Sequence, residues 1–460
     1  MRDSRRSKFS VDGARVVVLG AARSGVAAAT LLVRRGARVV LSDVRHSVTD
    51  ADQIRETGVT LELGGHREDT LADAELVVLS PGVSPKLPAV DRAREQGTPV
   101  ISEVELAARW LRGRIIAVTG TKGKTTTAVL TGRLLEADGR QALVGGNVGT
   151  ALSSQVEASS PDTIHVVELS SFQLELTEKF HPWIAVLLNL SPDHLDRHAN
   201  FQEYVNAKAR IFANQTGSDA MVINADDPHV LEVARRGRAR SLMFAVTEPL
   251  DEGVVVIGDS VTYRTGSGDR PLLPLSAVRL PGQHLLSDVL AAAAVATVVG
   301  VSVNGMRSAI ESFEGIEHTL EAVADVDGVQ FINDSKATNI ASAHAALECF
   351  DRDLVVVMGG RFKGGDLKDL VPVLRARARA VVAIGEARAR IIEVLDGLVR
   401  VHQADGMPDA VRLAFDLARP QGTVLLAPAC ASLDMFTDYA ERGKAFKAEV
   451  GRLAEERAAR

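Results

Sequence analysis

Along the chain the apolar positions fall into short dense runs, each closed by glycine or a polar turn and followed by a stretch with helical spacing. Arg15–Leu19 (RVVVL) ends at Gly20 and gives way to a helical pattern over Gly25–Arg35. Short β-branched runs of this kind predict buried strands. Others follow at Arg38–Ser42 and Glu75–Leu79, the second ending in the turn Ser80-Pro81-Gly82. The rhythm restarts at Ile115–Val118 and continues at His165–Glu168, Trp183–Leu188 and Ala220–Ile223. Gly253–Pro274 reads as hairpins, with Gly258-Asp259 as a turn signal. A third series occupies Val329–Ile332, Leu354–Met358, Ala380–Ile384 and Thr423–Ala427. Strands alternating with helices predict parallel sheets covered on both faces. The expected architecture is α/β, with three consecutive α/β domains over residues 1–111, 112–315 and 316–460. The first and last are expected to be Rossmann-like and the central one to carry a phosphate loop. Val289–Val299 is Ala-rich and predicts a buried helix, since a membrane span needs roughly 20 apolar residues. Ligands of such sheets sit at the carboxyl ends of strands, so the loops after strands are where chemistry is sought.

Composition adds exclusions. Of 460 residues, 46% are hydrophobic and 24% charged, which is enough apolar material for real cores. A net charge of −6 gives no electrostatic footprint for nucleic acid. Cys349 and Cys430 cannot build a disulfide framework, which fits a reducing compartment. The basic opening MRDSRRSKFS is followed by no apolar region, so no signal peptide is expected. The expectation is a cytoplasmic monomer without nucleic-acid or membrane partners.

Val118-Thr119-Gly120-Thr121-Lys122-Gly123-Lys124-Thr125 follows a predicted strand and opens a predicted helix, the context a phosphate loop needs. Glycines let backbone N–H groups converge on phosphate oxygens, and the helix N-terminus adds a positive dipole end. Lys124 is placed to reach β- and γ-phosphates, and the Thr125 hydroxyl to ligate Mg²⁺. The outer glycine of the full pattern is replaced by Val118, leaving the shorter T-G-T-x-G-K-T. Glu168 closes a strand and is placed to meet the metal of that loop. Asn189–His198 (NLSPDHLDRH) crowds ionisable side chains into one strand-end loop, with His194 a candidate metal ligand. Lys208, in the helical pattern Phe201–Phe212, reads on its own as a solvated surface lysine. Gly20-Ala21-Ala22-Arg23-Ser24-Gly25 is a dinucleotide fingerprint whose middle glycine is Ala22, which weakens an NAD reading.

Taken in order, these segments resemble the Mur ligase family of ATP-dependent amide-forming enzymes. The segments are TGTKGKT, GGNVG (145–149), VELSSFQLE (167–175), SPDHLDRH (191–198), NAKARIF (206–212) and INDSKATN (332–339). SPGVSP (80–85) and APACASLDMF (427–436) extend the match over nearly the whole chain. ELSSFQLE with DSKATN is similar to the members that add D-glutamate to UDP-N-acetylmuramoyl-L-alanine in peptidoglycan precursor synthesis. The resemblance implies that residues 1–111 bind the UDP substrate, 112–315 bind ATP, and 316–460 bind the amino acid.

The resemblance also implies roles residue by residue. ATP contacts fall at Gly120, Thr121, Lys122, Gly123, Lys124, Thr125, Thr126, His284, His318 and Asp334. UDP-substrate contacts fall at Ala22, Arg23, Asp43, Ser80, Pro81, Gly82, Asn147, Ser170 and Gln173. D-glutamate falls to Arg197, Lys336, Thr338, Lys363, Ser432, Leu433 and Tyr439. Two Mg²⁺ ions are implied at Thr125, Glu168, His194 and Lys208, the last carried as a carbamate; Lys124, Glu168, His194 and Lys208 form the catalytic set. The chain departs from the family at Leu285 and Asp288, where asparagines are usual, and at Thr319, where an arginine is usual. A weaker nucleotide pocket is therefore expected. A related ligase of other amino-acid or nucleotide choice, or a nucleotide-binding regulator, remains open from the sequence; the surviving Lys124, Glu168, His194 and Lys208 speak against the regulator.

Overall fold

The structure, a computed structural model, describes residues 9–48, 50–194, 197–278, 283–313 and 315–459, leaving aside the side chains of Gln283, His284 and Ala341. Three sheets are present among the described residues. The first is wholly parallel, ordered β3-β2-β1-β4-β5, from β1 (Arg15–Leu19), β2 (Arg38–Asp43), β3 (Thr60–Leu63), β4 (Leu76–Leu79) and β5 (Val100–Ser102). The second is ordered β14-β13-β12-β11-β10-β9-β6-β8-β7. Its strands are β6 (Arg114–Thr119), β7 (Ala142–Gly146), β8 (Ile164–Glu168), β9 (Ile184–Leu187), β10 (Ala220–Asn224), β11 (Arg240–Ala245), β12 (Gly253–Ile257), β13 (Ser260–Thr265) and β14 (Gly268–Pro274). It is parallel except for the meander β12-β13-β14. The third is ordered β15-β16-β20-β17-β18-β19, from β15 (Glu321–Val326), β16 (Val329–Asn333), β17 (Leu354–Gly359), β18 (Ala378–Ile384), β19 (Val401–Gln403) and β20 (Gly422–Leu426). Only β15 in it is antiparallel.

Central strands are buried along almost their whole length, because helices cover both faces of a parallel sheet. That burial is why they read as continuous Val/Ile/Leu runs. The strands missed from sequence are β3, β5, β7, β11, β15 and β19; all but β11 are edge strands, short or half-polar, where one-sided burial leaves little hydrophobic signal. The expected hairpins over 253–274 are the meander. The expected buried helix is Gln283–Val299, with Val289–Ala296 fully buried. The helical pattern Phe201–Phe212 is an α-helix only to Ala209 and tightens into a 3₁₀ turn over Arg210–Phe212. No helix among the described residues is long and apolar enough to cross a membrane.

The chain forms two compact units. One holds the first two sheets and Ser287–Ser312; the other holds the third sheet and the residues from Phe313 on. Within the first unit, two buried carboxylates just after β5 fasten its sheets together. Glu105 accepts the backbone N–H groups of Glu178 (2.9 Å), Lys179 (3.1 Å) and Phe180 (2.8 Å), and Glu103 accepts that of Ser153 (2.6 Å). Buried backbone donors need such partners, so this junction is specific rather than merely apolar.

Candidate active site

β6 runs directly into the loop Gly120–Gly123, and the helix Lys124–Ala137 begins behind it, with Gly123 as its N-cap at φ 79°. Gly120 is the tight position: a Cβ there would lie 2.9 Å from Leu188 Cβ, so only glycine fits. The loop after β9 braces the turn. Asn189 Oδ1 accepts the N–H groups of Thr121 (3.1 Å) and Lys122 (2.8 Å), and its Nδ2 donates to Lys122 O (3.2 Å). Thr121 Oγ1 lies 2.9 Å from Tyr204 OH and accepts the Ser191 N–H at 3.0 Å.

Two lysines converge on one carbonyl. Lys124 Nζ donates to Gly120 O (3.0 Å) and Thr121 O (2.7 Å). Lys208 Nζ donates to Gly120 O (2.7 Å) and Thr119 Oγ1 (3.3 Å), and lies 4.8 Å from the Tyr204 ring centre. Lys208 is 2% exposed, so the reading of it as a solvated surface lysine is corrected: its helix turns it inward onto the phosphate loop. Burial, then the neighbouring Lys124, hold its amine well below the usual lysine range. Burial also lowers Lys124, against the pull of Glu168, Asp193 and Asp288.

Glu168, at the end of β8 and 3% exposed, accepts from Thr125 Oγ1 (2.7 Å) and from Asn147 Nδ2 (3.0 Å). Thr125 and Glu168 thus form a pair of oxygen donors at the mouth of the helix, the donor chemistry a hard divalent cation prefers. His194 sits at φ 53°, edge-on to Phe172 at 4.9 Å, with Nε2 3.7 Å from Asp193 Oδ2. No cluster of three or more His, Cys, Asp or Glu able to hold a metal occurs among the described residues. Thr126 is buried inside the helix. Leu195 and Asp196 of the SPDHLDRH segment, Glu314, the loop 279–282 and the side chain of His284 lie outside the described residues.

A cavity of about 390 Å³ opens at the carboxyl ends of the first sheet. Of the expected UDP-substrate residues, Ala22, Arg23, Asp43, Ser80, Pro81, Gly82 and Asn147 line it. Ser170 and Gln173 do not; they form a reciprocal capping box on the helix Ser171–Glu175. Asp43 lines the cavity with its carboxylate already engaged. Its Oδ1 accepts Arg45 N and Nε (both 2.9 Å), and Oδ2 accepts Arg45 NH2 (2.8 Å) and Ala21 N (2.7 Å). The Arg45 guanidinium beside it holds that carboxyl well below the usual carboxylate range. Arg45 is the group Asp43 orients, and sequence reasoning missed it; the Asp-x-Arg spacing at a strand end was the available signal. Arg197 donates to Pro81 O (3.3 Å) and Val83 O (2.5 Å) and stacks over Phe172 at 4.2 Å. Its guanidinium supports the turn that lines this cavity.

In the second unit, loops after three adjacent strands gather the remaining residues. Lys336 and Thr338 follow β16, Lys363 follows β17, and Ser432 and Leu433 follow β20. Lys363 Nζ donates to Thr338 Oγ1 at 3.3 Å. Tyr439 begins the helix Tyr439–Ala458 and accepts the Ser335 hydroxyl on its carbonyl at 2.7 Å. Leu433 is exposed and Ser432 buried. The organiser is a residue no motif contained. Arg442, 1% exposed, donates to Ser335 Oγ (2.9 Å), Ser335 O (2.7 Å), Cys430 O (3.0 Å) and Gly359 O (3.4 Å), tying the three loops together. Burial lowers it to about 10. His318, at φ 66° and buried, pairs Nδ1 with Asn333 Nδ2 at 2.9 Å. Asp334 is buried, accepts Leu320 N–H at 3.2 Å, and is pushed up to about 7 by desolvation.

A braced phosphate loop, an acid–hydroxyl pair beside it and a separate nucleotide-sized cavity define a phosphate-handling α/β protein of the doubly wound kind. Three family models match the chain in order: the Mur ligase MurD-like N-terminal domain over residues 14–102, the Mur ligase middle domain over 118–296, and the Mur ligase glutamate ligase domain over 320–430. The chain belongs to the Mur ligase family. It is 44% identical over 444 residues to the UDP-N-acetylmuramoylalanine–D-glutamate ligase of Acidobacterium capsulatum, covering 95% of this chain and 96% of that one. It is 42% identical over 451 residues to the enzyme of the same name from Koribacter versatilis, covering 97% and 99%. Among solved structures it resembles the UDP-N-acetylmuramate–alanine ligase of Thermotoga maritima, with a TM-score of 0.61, 19% identity and 96% and 100% of the two chains covered. A pseudomurein peptide ligase type C from Methanothermus fervidus gives 0.60 at 18% identity, with 96% and 100% covered. These two likenesses bear on the fold, and the three domains of the family correspond to the three sheets.

Proposed function

We propose that the protein is an ATP-dependent ligase that joins D-glutamate to UDP-N-acetylmuramoyl-L-alanine, a cytoplasmic step of peptidoglycan precursor synthesis. The observation that carries this reading is Asn147. It lines the nucleotide cavity and at the same time donates to Glu168, which accepts from Thr125 of the phosphate loop. A substrate held by its nucleotide in that cavity would extend its carboxylate toward the loop that holds the γ-phosphate of ATP. Asn189 holds the turn through the N–H groups of Thr121 and Lys122, and the remaining N–H groups of the loop and of the helix start bind phosphate oxygens. Lys124 exchanges its loop carbonyls for the transferring phosphoryl group and stabilises charge as the carboxylate attacks. The carboxylate oxygen bonds to γ-phosphorus, ADP leaves, and an acyl phosphate results. The amine of D-glutamate adds to its carbonyl, loses a proton, and phosphate departs from the tetrahedral intermediate.

Mg²⁺, when bound, supplies charge neutralisation for the phosphates, and Thr125 with Glu168 would hold it. His194 and Lys208, carried as a carbamate, are the further ligands we assign to a second ion. Lys336, Thr338, Lys363, Ser432, Leu433 and Tyr439 hold the amino acid. Arg197, whose guanidinium donates to Pro81 O and Val83 O, is assigned to the same set. His284, His318 and Asp334 complete the ATP contacts, and the protein acts as a monomer. The test is phosphate release with each component withheld in turn. Release is expected only with ATP, UDP-N-acetylmuramoyl-L-alanine and D-glutamate together. Equal turnover with L-glutamate, glycine or L-lysine would reject the amino-acid specificity, and release from ATP alone would reject the ligase reading.

A further inference from the structure

One wall of the nucleotide cavity is formed by His66, in the loop that follows β3. Its Nδ1 lies 2.8 Å from the hydroxyl oxygen of Ser42, a fully buried residue of β2. The same oxygen lies 3.1 Å from Gly65 O and 3.4 Å from Glu62 Oε1. A carbonyl and an ionised carboxylate only accept, and serine has one proton to give. Glu62 is held as an acceptor by Arg67 N–H on Oε1 (3.1 Å) and the Thr70 hydroxyl on Oε2 (2.7 Å). If the serine proton went to His66 Nδ1, the Gly65 carbonyl would face the serine oxygen with no proton between them. If it goes to Gly65 O, the His66 contact is N–H donating to Ser42, and both contacts are satisfied. The count places a proton on Nδ1, and burial, outweighing the nearby Asp43 and Glu62, lowers the pKa of the ring, so the neutral Nδ1–H tautomer is selected. Nε2 is then the ring's acceptor. It has no protein partner among the described residues and is not sealed from solvent, on a residue that lines the cavity.

We infer that His66, fixed as the Nδ1–H tautomer by Ser42, offers Nε2 to the cavity as a hydrogen-bond acceptor and selects a nucleoside that presents a donor there. The inference rests on reading the cavity as the uridine nucleotide site. In doubly wound sheets the first strand–helix turn takes the phosphates and the end of the second strand takes the sugar. His66 stands with Asp43 and Arg45 on that second side. The donor is therefore either the imide N3–H of uracil or a ribose hydroxyl. Cytosine has an acceptor at N3 and would be disfavoured in the first case.

The experiment is calorimetric titration of the full-length protein with UDP, N3-methyl-UDP, CDP and 2′-deoxy-UDP. Wild type is expected to bind UDP about 10-fold tighter than N3-methyl-UDP and CDP if the imide is read, or than 2′-deoxy-UDP if the ribose is read, the usual worth of one good hydrogen bond. His66→Phe is expected to weaken UDP by a similar factor and to erase that preference. His66→Gln, which can still accept, is expected to keep part of it. In turnover both variants raise the KM for the UDP substrate and leave kcat at saturation unchanged. His66→Phe with wild-type UDP affinity, or with the preference intact, would overturn the inference. Wild type failing to bind UDP at all would overturn the nucleotide reading itself, a distinct result.

Discussion

The phosphate loop and the strand-end cluster of the second unit hold their functional residues by different means. The loop after β6 is braced by several partners: Asn189, Tyr204 and Ser191 each satisfy one or two of its groups, and Lys124 and Lys208 share its Gly120 carbonyl. The loops after β16, β17 and β20 share one buried cation, Arg442, whose guanidinium reaches all three, beside the pairwise Arg361–Ala431 backbone bridge and the Lys363–Thr338 contact. Distributed bracing means that each partner contributes modestly and the loop keeps its shape when one is lost. A single buried arginine concentrates the effect, because its removal leaves several carbonyls without their donor at once.

That contrast can be broken by substitution. The largest expected effect belongs to the reacting charge itself. Lys124→Ala is expected to lower kcat by about 10²-fold or more through lost transition-state stabilisation, with the thermal melt unchanged; a loss under tenfold in steady-state turnover would contradict its role. Arg442→Met comes next. It is expected to cost about 3 kcal/mol, to melt the second unit ahead of the first in calorimetry, and to raise the KM for D-glutamate more than that for ATP.

Asp334 gives the contrast a pH axis. Its folded value of about 7 lies above the 3.8 of the unfolded chain. The folded state therefore keeps a proton that the unfolded chain has released, and stability falls as pH rises from about 4 to 7 before levelling. Asp334→Asn removes that fall, so its melting temperature is expected to exceed wild type at pH 8, with the gap closing near pH 4. An equal gap at both pH values would reject the raised carboxyl. At the phosphate loop, Asn189→Ala removes the acceptor of two N–H groups and is expected to raise the ATP KM by about 10-fold. Tyr204→Phe, losing one hydroxyl contact to Thr121, is expected to change it by only about three-fold, within the ~1 kcal/mol of a single hydrogen bond.

The same contrast explains what could be read along the chain. The phosphate loop is contiguous, from Thr119 to Thr125, and its glycines are demanded by local geometry, so the string of residues announces it. Glu168 stands at the end of a predicted strand and was legible for that reason; Asn147 follows β7, a strand the sequence did not show, and came only from the resemblance. Arg442 is more than a hundred residues from Ser335 and lies in the first turn of a helix whose sequence looks like any charged surface helix. Nothing local marks it. Lys208 misled in the same way, since its burial is decided by Tyr204 and the distant carbonyl of Gly120. Arg45 and His66 acquire meaning only when β2 and β3 lie side by side and present their following loops to one cavity. The resemblance to a family supplied the amino-acid residues, which no local pattern marks; the contacts of Arg197 with the Pro81–Val83 turn were legible in neither way.

The central claim is that the phosphate loop activates the substrate carboxylate as an acyl phosphate before the amine attacks. UDP-N-acetylmuramoyl-L-alanine labelled with ¹⁸O in its carboxylate tests this most directly, by mass spectrometry of the phosphate released during turnover with ATP and D-glutamate. The account predicts one ¹⁸O atom in each phosphate, because the oxygen that attacks phosphorus leaves with it. Phosphate carrying only unlabelled oxygen, while the amide product accumulates, would contradict it.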